Sequence, residues 1–145
     1  MEKQITIEEG RSYNFKASAF SPILYNKLFP GHDFMQDMNK LQKLWADKTK
    51  DNEVSLDVPS YETFVRMAYL FAYQGLAPSP ATTEEQKAFR EEFPTPWDWV
   101  DTFGTFSMYM ILGEIITLWS AGAAGVATGK KSPKRQREKS TPQST

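Results

Sequence analysis

The sequence predicts a mainly α fold, in which an N-terminal β-hairpin is followed by five or six helices around one core and by a disordered basic C-terminal tail. Apolar residues alternate with polar ones over 3–17 and recur at intervals of three and four from 21 to 119. The stretch 129–145 contains no aliphatic or aromatic side chain and cannot form a core. We therefore expect a single helical domain over 1–128 and a disordered tail over 129–145.

The hairpin is predicted from two short alternating segments on either side of Glu9-Gly10, a dipeptide with turn chemistry. Each segment places apolar residues on one face; these are Ile5 and Ile7, then Tyr13, Phe15 and Ala17. Two strands alone are marginally stable in water, so the hairpin must pack on the helical part of the chain.

Two helices should follow the hairpin. Ser21 as N-cap with Pro22 at the first helical position begins a short helix, which Pro30-Gly31 ends. Apolar residues at helical spacing then predict a second, amphipathic helix over 32–47. The polar segment 47–59 is expected to be a loop.

The run after Pro59 is apolar on nearly every side and predicts a helix at the centre of the domain. Ser60 is the expected N-cap, Glu62 and Arg66 should pair at i, i+4, and Gly75 should cap the C-terminus.

The last third of the chain is expected to hold a surface helix or lid and then one or two core helices. After a linker at 77–80, an acidic stretch begins at Thr83, and its anchors are Ala88, Phe89 and Phe93. A further helix should begin at Thr95-Pro96 and run towards Trp119, with a break near Gly104 and an end at Gly122 and Gly125.

The segment 102–128 also raises the possibility of a membrane span, because Glu114 is its only charged residue. The uncharged run 115–128 is shorter than the roughly 17 to 25 residues that a span needs. A core helix is the preferred interpretation.

Composition excludes several classes of enzyme and metal protein. The 145 residues include no cysteine and a single histidine, His32, which rules out cysteine-ligated zinc and sites that need two histidines. His32-Asp33 could form an acid–base pair, but no nucleophile can be linked to it. The pairs Glu84-Glu85 and Glu91-Glu92 are typical of a solvated acidic face. We expect no enzymatic activity, no metal and no cofactor.

Aromatic residues are the candidates for partner binding. A cluster of Trp97, Trp99, Phe103 and Phe106 has helical spacing, which is typical of a core, but tryptophan and tyrosine also anchor interfaces. The predicted partner-binding residues are Trp97, Trp99, Phe103 and Tyr109.

Charge is unevenly distributed along the chain. Six of the 17 basic residues lie in 129–145, which leaves 1–128 with a net charge of −6. The basic tail could contact phosphates, but it has no interleaved aromatic residues, so specific nucleic-acid binding is not the preferred interpretation.

Several segments together resemble a known family. They are ITIEEGRSYNFKAS, PILYNKLFPG, FMQDMNKLQKL, YETFVRMAYLFAYQG and PWDWVDTF, followed by the basic tail. This layout, over about residues 3–120, resembles the tail assembly chaperones of long-tailed phages and prophages of Gram-positive bacteria.

The resemblance implies a small cytoplasmic protein of the bacterial host cell that is not retained in the virion. Proteins of this family coat the tape measure protein and help to recruit tail tube protein around it. They are often also made as a longer form by a −1 ribosomal frameshift, for which Gly129-Lys130-Lys131 is a candidate position. A homo-oligomer is a further expectation.

Two other hypotheses remain open at this point. One is a generic helical adaptor or connector protein of phage assembly, and the other is a small membrane-associated protein that uses 102–128.

Overall fold

The computed structural model describes residues 1–51, 56–76 and 83–128, and it confirms the predicted fold class. The described residues are mainly helical, with an N-terminal antiparallel hairpin. The predicted loop centre at 52–55, the linker at 77–80 and the basic tail lie outside the described residues. The end of the predicted domain at 128 therefore stays a prediction.

The hairpin consists of β1 (Glu2–Glu8) and β2 (Arg11–Lys16), joined by the predicted turn. Gly10 has a φ of 79°, which lies in the left-handed region that favours glycine. The register shifts between Thr6 and Glu8, so that Ile7 is an extra residue in its strand. The hairpin buries one face; its buried residues are Ile5, Ile7, Phe15 and the following Ala17.

Helix α1 spans Ser21–Leu28 and ends at Phe29, before Gly31 with a φ of 90°. The prediction of Ser21 as N-cap was wrong, because the cap position is Phe20 and it has no side-chain hydrogen bond. The Ser21 hydroxyl instead donates to the side chain of Gln74 inside the core.

Helix α2 spans Phe34–Asp51, and the Asp33 carboxylate accepts a hydrogen bond from Gln36 N–H at its start. The helix extends beyond the predicted end at residue 47. The added residues are lysine, threonine and aspartate, without glycine or proline to interrupt them.

Helix α3 (Val58–Gln74) is the central element of the fold, as predicted. Every residue from Thr63 to Ala72 is buried, and the helix contacts β2, α1, α2, α4, α5 and α7. Its N-cap is Asp57, which accepts from Ser60 N–H, so the prediction of Ser60 as cap was wrong by three residues.

A polar network inside the core joins α3 to the first two helices. The Tyr25 hydroxyl donates to Asp37 Oδ2 at 2.6 Å and accepts from Arg66 Nε at 3.0 Å, and Arg66 Nη2 donates to Thr63. Arg66 Nη2 also lies 3.7 Å from Asp37 Oδ2. The predicted pair of Glu62 with Arg66 was wrong, since Arg66 turns into the core while Glu62 is exposed.

Helix α4 (Glu84–Glu92) lies on the surface and begins with a capping box between Thr83 and Gln86. Phe89 and Phe93 are buried as predicted. Ala88, however, is exposed, and Gln86 takes the inner position, where its side chain donates to Tyr73 O.

Three segments complete the chain: α5 (Pro96–Val100), α6 (Ser107–Met110) and α7 (Leu112–Thr128). The predicted break near Gly104 is confirmed. Only Ile111 separates the single turn α6 from α7. Counted as one helix, the two bring the number of helices to six, within the predicted five or six. Helix α7 continues through Gly122 and Gly125, so the prediction that these glycines end it was wrong.

The buried apolar residues of the described ranges form one cluster, to which every strand and helix contributes. Within these ranges, no helix has both the length and the apolar character needed to cross a bilayer.

Gly75 couples α3 to the hairpin and provides a test of this packing. A Cβ atom there would lie 1.6 Å from the carbonyl oxygen of Asn14. We expect Gly75→Ala to push the hairpin off α3 and to lower the free energy of unfolding by about 1–3 kcal/mol or more, as overpacking does.

Urea unfolding followed by circular dichroism measures this loss. Gly104→Ala is the control, because the nearest atoms to its Cβ are ends of the Ser107 and Glu8 side chains at 3.3 and 3.6 Å. Equal stability of the Gly75 variant and the wild type would contradict the close contact.

Candidate functional site

An open groove with a volume of about 1040 Å³ lies on the surface of the described residues. The start of β1, one residue of α2, and helices α6 and α7 form it. Its lining residues are Met1, Glu2, Lys3, Trp45, Phe106, Tyr109, Met110, Gly113, Glu114, Thr117, Leu118 and Ala121. The volume is at the upper end of the range for ligand pockets, roughly 300 to 1000 Å³, and most of the lining is apolar.

Large apolar side chains stand exposed at the edges of the groove. Met1 is 55% exposed, Phe106 71% and Met110 77%. Phe106 and Met110 are four residues apart across the single turn α6, so both project from the same side. Exposed apolar side chains grouped around a depression are typical of a protein interaction site.

The groove has its shape because Trp45 lies directly against a glycine of α7. A Cβ atom on Gly113 would lie 2.6 Å from the Trp45 ring. The absence of a side chain at Gly113 therefore allows the indole of α2 to pack against the backbone of α7.

An ion pair and an aromatic stack fix the walls. Lys3 Nζ lies 2.9 Å from Glu114 Oε1 and joins β1 to α7, although both side chains are about half exposed and such a pair contributes little stability. The Tyr109 ring stacks on Tyr61 of α3, with centroids 5.0 Å apart. Burial, and secondarily the neighbouring Tyr109, raises the pKa of Tyr61.

Glu8 holds the segment that carries Phe106. Its Oε1 accepts hydrogen bonds from Gly104 N–H at 2.9 Å and from the Ser107 hydroxyl at 2.8 Å. The hydrogen bond from Gly104, and after it the one from Ser107, holds the pKa of the Glu8 carboxyl below its ordinary value of 4.5. The hairpin thus positions the wall of the groove through one carboxylate.

The four predicted partner-binding residues do not lie together. Tyr109 lines the groove, but Trp97, 42% exposed, lines a second and smaller pocket. Trp99 is fully buried, and its indole N–H has no acceptor among the described residues. Trp99 therefore has no exposed surface to offer a partner in this fold, and partner binding by the other three residues stays a prediction.

Phe103 is partly buried against the core, with the Arg11 guanidinium 4.0 Å above its ring and Trp99 packed edge-on. It contributes to holding β2 against the segment after α5.

Sequence reasoning missed Met1, Trp45 and Met110 as groove residues and placed Phe106 with the core aromatic cluster. The pair Phe106 and Met110 had a sequence signal in its spacing of four. The position of Trp45 beside α7 had none.

The side chains of His32 and Asp33 have different neighbours. Asp33 caps α2, whereas His32 Nδ1 lies 3.9 Å from Asp37 Oδ2. Over 1–51, 56–76 and 83–128, no three His, Cys, Asp or Glu side chains form a group that could hold a metal ion.

The lowered pKa of Glu8 predicts that the attachment of α6 depends on pH. A carboxyl with a lowered pKa in the folded state stabilises the fold above its unfolded pKa, and this contribution is lost as the pH falls through the folded value. We expect the Glu8→Gln variant to lose that contribution. Its free energy of unfolding should therefore be lower than that of the wild type at pH 7, and the two should converge well below pH 4.5. Urea unfolding at a series of pH values measures the difference.

Glu9→Gln is the matched control, because this neighbouring carboxylate is exposed. A constant difference between the Glu8 variant and the wild type across the whole series would argue against a role for the charge.

Comparison of the chain with protein-family models, curated proteins and solved structures gives no match.

Proposed function

We propose that this chain is a non-enzymatic phage tail assembly chaperone whose groove covers an apolar stripe of the tape measure protein. The observation that carries the proposal is the exposed apolar groove between β1, α6 and α7. The resemblance described above supplies the partner, and the groove supplies a surface with the chemistry to bind it.

An amphipathic helix is the form of partner that suits this surface. Such a helix places its apolar side chains along one stripe, at spacings of three and four residues, and docks by laying that stripe in a hydrophobic groove. Phe106 and Met110 would pack beside it, and Trp45 would lie beneath it. The Lys3–Glu114 pair offers polar contacts to its edges.

Methionine suits a chaperone surface in particular. Its unbranched side chain adapts to irregular partners, and Met1 and Met110 both border the groove. A tape measure helix presents many different stretches of apolar surface, so adaptability is more useful than a single close fit.

The proposal includes the other expectations that the resemblance raised. The complex would help to recruit tail tube protein in the cytoplasm of the host and would not be retained in the virion. A longer frameshifted form and a homo-oligomer belong to the same proposal.

Variants on the groove test the proposal. We expect Phe106→Glu and Met110→Glu each to weaken tape measure binding about tenfold or more, because a charge would replace an apolar anchor. Both residues are exposed, so the stability of the chaperone should change by less than about 0.5 kcal/mol. The measurement is the fraction of tape measure protein that stays soluble when co-expressed with each variant.

Val58→Glu is the matched control, because Val58 is as exposed as Phe106, at 71%, and does not line the groove. A wild-type chain that fails to keep the tape measure soluble would contradict the proposed function and favour the helical adaptor. Equal losses with the Val58 and Phe106 variants would contradict the groove as the binding surface.

A further inference from the structure

A second pocket, of about 270 Å³, lies where the end of α1 meets the segment between α4 and α5. Leu28, Phe29 and Pro30 form one side of it, and Pro94, Thr95, Pro96 and Trp97 the other. Its charged or titratable lining residues are Arg66, Arg90 and His32. We propose that this pocket binds the carboxylate of an acidic peptide segment between the Arg66 and Arg90 side chains.

Arg66 reaches the pocket from inside the core. Its side chain is 9% exposed, and its Nε and Nη2 atoms donate to Tyr25 and Thr63. Its Nη1 atom has no acceptor within the described part of the chain. Arg66 lines the pocket, and little of its side chain is exposed. The pocket is therefore where a ligand can reach its Nη1 atom.

Arg90 approaches from α4 and is also held in place. Its Nη1 donates to the Tyr69 hydroxyl at 2.9 Å and to Pro94 O at 3.2 Å, and its guanidinium lies 5.8 Å from the centre of the Tyr69 ring. No residue in the described ranges accepts from its Nη2. Two guanidinium groups fixed before binding lose little conformational entropy when an anion arrives.

The local charge favours a carboxylate over a more highly charged group. Arg66 and Arg90 carry two positive charges, which are partly offset by Asp37 beside Arg66 and by Asp98, the hydrogen-bond partner of the lining residue Thr95. A singly charged anion therefore suits the pocket better than a polyanion, and guanidinium groups bind carboxylates through paired hydrogen bonds.

The surroundings favour a peptide as the source of that carboxylate. Phe29 and the exposed Trp97 ring offer apolar surface to the methylene groups of an acidic side chain. The net charge of −6 on residues 1–128 disfavours polyanions such as nucleic acid.

This pocket shares no lining residue with the groove. The inference therefore holds whether or not the tape measure protein is the partner.

The test is a titration of the full chain with two short peptides, acetyl-Gly-Glu-Gly-amide and acetyl-Gly-Gln-Gly-amide, followed by ¹H–¹⁵N NMR. We expect the glutamate peptide to shift the signals of the Trp97 indole and the Arg66 and Arg90 side chains saturably, with a dissociation constant in the millimolar range of a single ion contact, about 1 mM. The glutamine peptide should bind at least tenfold more weakly. Equal shifts with both peptides, or none with either, would overturn the proposal.

A pair of arginine variants locates the site. Arg90→Gln should weaken binding of the glutamate peptide at least tenfold. Arg11→Gln is the matched control, because Arg11 also lies over an aromatic ring and donates to a backbone carbonyl, that of Thr102, but lines neither cavity. Unchanged binding by a folded Arg90 variant would overturn the assignment.

Sodium phosphate is titrated as a third probe, because guanidinium groups also bind phosphate. Weaker binding of phosphate than of the glutamate peptide supports the carboxylate. Tighter binding of phosphate would overturn the peptide carboxylate as the ligand. The comparison of the two peptides needs no variant, so it decides the question even where Arg90→Gln fails to fold.

Discussion

Helix α3 is buried on every side from Thr63 to Ala72, and the positions of the other elements follow from this burial. A helix without a solvent-facing side needs neighbours all around it, which the hairpin and five other helices provide. It also brings Arg66 into the core, where a charge must have partners. Asp37 and Tyr25 supply them, and in doing so they fix α1 and α2 against α3. Removing one member would leave the others buried and unpaired.

The groove lies on the outer side of α6 and α7. These helices bury part of their apolar surface in the core and leave the rest exposed. Helix α7 packs on α2 and α3, and its buried residues include Leu112 and Ile115. Helix α6 is a single turn and buries only Met108, so Phe106 and Met110 project outward. Short elements have too little surface to bury all their apolar residues, and an interaction site can form from the remainder.

Local patterns predicted most of the fold and little of the site. The hairpin turn at Gly10 and the central position of α3 follow from the order of a few neighbouring residues. Arg66 has Glu62 as its sequence neighbour at i, i+4, but it pairs with Asp37 from another helix. Trp97 and Trp99 are two residues apart, yet one lines a pocket and the other is fully buried. The partner of a charged residue and the burial of a single tryptophan depend on how distant segments pack together. The periodicity of the sequence does not predict that packing.

The attachment of the groove wall suits reversible binding. The turn that carries Phe106 is held by two hydrogen bonds to Glu8, by the stack of Tyr109 on Tyr61 and by one buried side chain, Met108, rather than by a long buried helix. Elements with few buried contacts open at a low free-energy cost. On the proposed function, the client must be covered during assembly and released as the tube encloses it. A wall that adjusts to different stretches of helix binds each of them moderately, and moderate affinity allows release.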